Sequence, residues 1–78
     1  MITKQAYERF KAEIIDLEKR ASKIRSQFSE AVVQASPLPS ARVMFTKKEL
    51  AFERTMMRAT AAFGDGLSAL AEIERRPE

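Results

Sequence analysis

The chain has 78 residues, 45% of them hydrophobic and 32% charged, with a formal charge of +3, no Cys and no His. That length makes one small domain, too apolar to stay disordered, and the lack of Cys and His excludes disulfides and ordinary zinc sites. The 11 acidic residues scattered among 14 basic ones make a weaker electrostatic signature than most nucleic-acid binders carry.

Lys4, Glu8 and Arg9 interrupt the first ten residues, so no signal peptide is expected. Thr3 is a fair N-cap candidate for a first helix, although position 6 is Ala where a capping box would place Glu. From there to Ala35 there is neither Gly nor Pro. Apolar side chains recur at 3-4-3-4 spacing: Tyr7, Phe10, Ile14, Leu17, Ala21, Ile24, Phe28, Ala31 and Ala35. Four heptads of this kind predict a helix that presses a seam against another helix. Asp16 and Arg20 add an i, i+4 pair. Pro37 and Pro39 stop the helix near residue 36 and open a stiff, extended connector over 37–45.

The second helix has a clear start. Thr46 and Glu49 spell a reciprocal capping box, and Phe45 and Leu50 the matching hydrophobic staple. Its apolar stripe is Phe52, Met56, Ala59, Phe63, Leu67, Leu70 and Ile73. Gly64 and Gly66 fall inside it, each costing up to about 1 kcal/mol against Ala. Because Phe63, Leu67 and Leu70 keep helical phase across the glycines, a continuous helix is expected in preference to a break capped by Asp65. The end should fray around Arg75 and Arg76. The small-residue run from Ala59 to Ala71 predicts a tight helix crossing inside a bundle.

These elements define an all-α fold: a single helical-hairpin domain over 1–78, with a helix near 3–36, a Pro-containing connector and a helix near 46–75. Two helices cannot surround a core, and small chains in this position usually recruit a partner. A homodimer, as a four-helix bundle or coiled coil, is expected to cover Tyr7, Phe10, Ile14, Leu17, Ile24, Phe28, Met56, Phe63, Leu67 and Leu70. No run approaches 18 uncharged apolar residues, so membrane insertion is not expected, and a cytoplasmic location is the default.

Catalytic chemistry finds little support. General acid–base work most often uses His, and nucleophilic catalysis lacks Cys and any Ser with an evident base. Gly-Asp-Gly is too short for a phosphate loop and lacks Lys. No enzyme activity, cofactor, metal or small-molecule substrate is expected.

Three functional readings compete. The first is a non-enzymatic protein-binding module that docks a helical surface on a larger protein and inhibits, adapts or chaperones it, in the manner of phage or mobile-element accessory proteins. Ile15, Val43, Met44, Phe45 and Met57, with Arg54 and Arg58, are its candidate contacts, because a hairpin does not need these apolar groups for itself. The second is a small dimeric nucleic-acid-binding regulator using Lys19, Arg20, Lys23 and Arg25 to neutralise phosphates. In general plan such a dimer resembles the antiparallel hairpin regulators of plasmid copy number that bind RNA loops. The third rests on layout: two helices around a Ser-Pro-Leu-Pro turn in about 80 residues is similar to type III secretion needle subunits and their small co-chaperones.

Overall fold

The computed structural model describes residues 1–35 and 44–76. It is a helical hairpin about 59 Å long and only 17 by 15 Å across. Helix α1 covers Lys4–Ala35 and α2 covers Lys47–Glu72. The expected connector lies outside the described residues as far as Val43.

Both helix starts follow from side-chain caps. The Thr3 hydroxyl accepts the Ala6 amide at 3.0 Å, satisfying one otherwise orphaned donor of α1. At α2 the capping box closes both ways: the Glu49 amide donates to Thr46 Oγ1 at 3.2 Å, and the Thr46 amide donates to Glu49 Oε1 at 2.7 Å. Helix α2 runs unbroken through Gly64 and Gly66.

The chain ends differently from expectation. Helix α2 stops at Glu72, and Arg75–Arg76 (strand β2) pairs in parallel with Ile2–Thr3 (strand β1). The Ile2 amide donates to the Glu74 carbonyl at 3.1 Å, and the Arg75 guanidinium lies 4.2 Å from the centre of the Tyr7 ring. The last described residues therefore clasp the first, where fraying was expected. Two residues per strand leave no alternating pattern for sequence to reveal.

The helices meet along one row from each. On α1 the buried or half-buried positions are Ala6, Tyr7, Ile14, Glu18, Ala21, Arg25, Phe28, Ser29 and Val32; on α2 they are Glu49, Glu53, Met56, Ala59, Thr60, Phe63, Gly64, Gly66, Leu67 and Leu70. Phe28 and Phe52 stack with ring centroids 4.4 Å apart, which sets the antiparallel register. Among the described residues, only Ala21 and Leu70 are buried, and each keeps 7–9% of its exposure.

The contact on α1 is rotated from the expected seam. Tyr7, Ile14, Ala21 and Phe28 face α2 as anticipated, but the flanking row is Glu18, Arg25 and Val32. The other flank of the expected seam stays wet: Phe10, Leu17 and Ile24 retain 37%, 45% and 48% of their exposure. Nor do the glycines sit in a tight crossing, since a Cβ at either would meet nothing within 4 Å.

Candidate functional site

Two helices side by side have two broad faces, and the rotation just described makes them unlike. The first face carries the open flank of each helix. Phe10, Leu17 and Ile24 recur every seventh residue on α1, and Phe52, Ala59, Gly66 and Ile73 recur every seventh residue on α2. At the open end these rows border an apolar groove of about 450 Å³, lined by Phe10, Ile14 and Leu17 on one side and Gly66, Leu70 and Ile73 on the other. Glu13 is its one charged lining residue. The hydroxyl of Thr55, on the outer edge of this face, is already bonded to the Ala51 carbonyl at 2.9 Å. The groove thus offers almost pure hydrocarbon.

The second face is mixed. Ser22, Arg25, Ser26, Ser29 and Glu53 line a polar cleft of about 220 Å³. Within it, Ser29 Oγ donates to Glu53 Oε1 at 2.7 Å, and Arg25 Nε stands 4.0 Å from Glu53 Oε2. Arg25 Nε is buried with no hydrogen-bond partner among the described residues. Ile15 shares the heptad row of Ser22 and Ser29. Leu50 and Met57, both exposed, lie three residues before and four after Glu53, so they flank the cleft from α2.

The expected partner-binding residues separate by position. Ile15 and Met57 lie on the mixed face, with Met57 still 53% exposed. Arg54 falls between Leu50 and Met57 on the α2 surface, and Arg58 follows; both are exposed. Met44 is almost fully exposed, whereas Phe45 is half-buried beside the Thr46 cap. Val43 lies outside the described residues.

The basic strip is divided. Lys19 and Lys23 are exposed. Arg20 turns back to Asp16 at 3.0 Å, and Arg25 is drawn inward toward Glu53. A phosphate would have to compete with those carboxylates for two of the four cations. The sequence sets Arg25 in a basic strip, flanking the seam, and gives it no partner. The available signal was phase: Arg25 is four residues after Ala21, and Glu53 three before Met56, so opposite charges occupy seam-adjacent positions on facing helices.

A third recess, of about 310 Å³, lies at the clasp between Lys4, Tyr7, Glu8, Arg75 and Arg76. Its aromatic floor is already covered by Arg75. Among the described residues, no helix is long and apolar enough to cross a membrane.

No protein-family model matches this chain, and neither a curated protein nor a solved structure matches it.

Proposed function

We propose that this chain is a non-catalytic protein-binding module that docks a helical surface on a larger protein, thereby inhibiting, adapting or chaperoning it. The observation that carries the reading is the mixed face, where Ile15, Leu50 and Met57 stay exposed beside Arg54, Arg58 and the polar cleft. Apolar anchors at helical spacing, rimmed by cations and hydrogen-bonding groups, are the makings of a helix-mediated interface. Met57 adds an adaptable, polarisable anchor, and Arg is enriched at interface hot spots. The partner surface this chemistry suits is an apolar groove with an acidic margin.

The test compares the native chain with Met57→Asp and Ile15→Asp in affinity purification from the native host, read by mass spectrometry. Both positions are exposed, so the fold should survive, as circular dichroism will verify. One prominent protein retained by the native chain and lost with both variants supports the reading. Equal recovery with all three chains sinks it.

A further inference from the structure

The apolar face, opposite the proposed docking surface, carries a more specific conclusion. A compact monomer of 8.9 kDa has an accessible surface of about 4,800 Å². This chain has 6457 Å², roughly a third more. A single layer of two helices has an excess of this kind by its shape, spread over both of its faces. A stable protein interface removes about 800 Å² from each partner, and obligate homodimers remove more. The excess is thus of the size that one helical interface covers.

The face also specifies its cover. In a four-helix bundle each helix touches two neighbours at about a right angle to each other, and its seam points at the bundle axis. On α1, α2 occupies only the Glu18–Arg25 flank. The Phe10–Leu17–Ile24 flank is where a second neighbour belongs. Between Phe10 and Ile73 at one end and Phe52 at the other, the two rows of the face differ in size. Helix α1 raises large side chains at Leu17 and Ile24, and α2 at the corresponding levels has Gly66 and Ala59. Beyond them α1 carries Glu13, Arg20 and Gln27, and α2 carries Ala69, Ala62 and Thr55. A ridge and a trough of equal period, about 10 Å per heptad, stand side by side on one surface. Such a surface is complementary to itself under a twofold rotation.

We propose that a second copy of this chain covers the apolar face, with the twofold axis parallel to the helices and both connectors at the same end. Leu17 and Ile24 of each copy then enter the trough at Gly66 and Ala59 of the other. The Arg20 stem lies over Ala62 of the other copy, and its charge remains paired with Asp16. The alternative twofold, perpendicular to the helices, sets Leu17 against Ile24 and brings the two Arg20 side chains together near the axis. The like charges disfavour it. The helical stability that Gly66 costs α2 thereby acquires a reason, since Gly66 admits a neighbouring side chain that a Cβ would crowd.

Sedimentation of the native chain is expected to give twice the 8.9 kDa mass, and a monomer at tens of micromolar would overturn the proposal. Leu17→Glu should weaken association at least about a hundredfold, by placing a charge in hydrocarbon; unchanged association would place the interface elsewhere. Met57→Asp should leave the mass unaltered, so failure of the docking surface and failure of the dimer are separable. Topology is read by cross-linking, since the chain has no Cys of its own. With a short bis-maleimide, a mixture of Arg20→Cys and Ala62→Cys chains should link to each other, and neither alone should link to itself. Efficient self-linking of Ala62→Cys would show the perpendicular twofold and refute the arrangement proposed.

Discussion

Among the described residues, Arg25 is the one charged side chain caught between the helices with a donor left unmatched. Its Nε is shielded from water, and the Glu53 carboxylate 4.0 Å away is too distant for a good hydrogen bond. Glu53 meanwhile accepts from Ser29 at 2.7 Å. Removing one member of a shielded pair leaves the other charge uncompensated, while replacing both with apolar groups can be neutral or favourable. Glu53→Ala should therefore destabilise the fold by about 1–3 kcal/mol. The joint change Arg25→Leu with Glu53→Leu should recover most of that loss. Urea titration of the two variants checks it, and equal destabilisation by both would mean that the pair does not interact.

On the element scale, two features of α2 make separable predictions. Thr46 closes the capping box, so Thr46→Ala should cost about 1 kcal/mol. Gly64 and Gly66 both sit in an unbroken helix, and a Cβ at either meets open space. Within one hairpin, Gly→Ala at both positions should stabilise by about 0.4–1 kcal/mol, through the unfolded chain. Gly64 lies on the mixed face, away from the apolar trough. Gly64→Ala should therefore raise the urea midpoint, whereas Gly66→Leu should lower it by filling the space reserved for Leu17 of the second copy. If both substitutions raise the midpoint, the trough stays empty in solution.

The same elements show what periodicity can reveal. Caps are local, so Thr3 and the Thr46–Glu49 box were legible, as was the helical phase carried across the glycines by Phe63, Leu67 and Leu70. An apolar stripe fixes which side of a helix turns away from water, and that was also legible. It does not fix which edge of the stripe a single neighbour takes. Here α2 takes the edge bearing Glu18, which sequence assigns to water, and Arg25, which it sets beside the seam. A stripe that points between two neighbours is what a bundle requires, so the displacement of α2 itself carries information. The parallel pairing of Ile2–Thr3 with Arg75–Arg76 was illegible for another reason: it joins the far ends of the chain through a few backbone bonds and one cation–π contact.

At the scale of the whole molecule, the small core decides how the fold should respond to dilution. With only Ala21 and Leu70 buried among the described residues, one hairpin has little apolar burial to set against the conformational entropy of about 60 ordered residues, each costing roughly 1–2 kcal/mol in backbone freedom alone. Cooperative stability then comes largely from association, and folding and assembly become one equilibrium. Each tenfold dilution of such a dimer removes about 1.4 kcal/mol. For two chains unfolding together, that lowers the melting temperature by roughly 3–6 °C. Thermal melts followed by helical circular dichroism over about a hundredfold range of concentration, enough to span two such steps, measure the slope directly. A melting temperature independent of concentration, in a chain that sediments as a monomer, would mean that the hairpin stands on its two-helix contact alone.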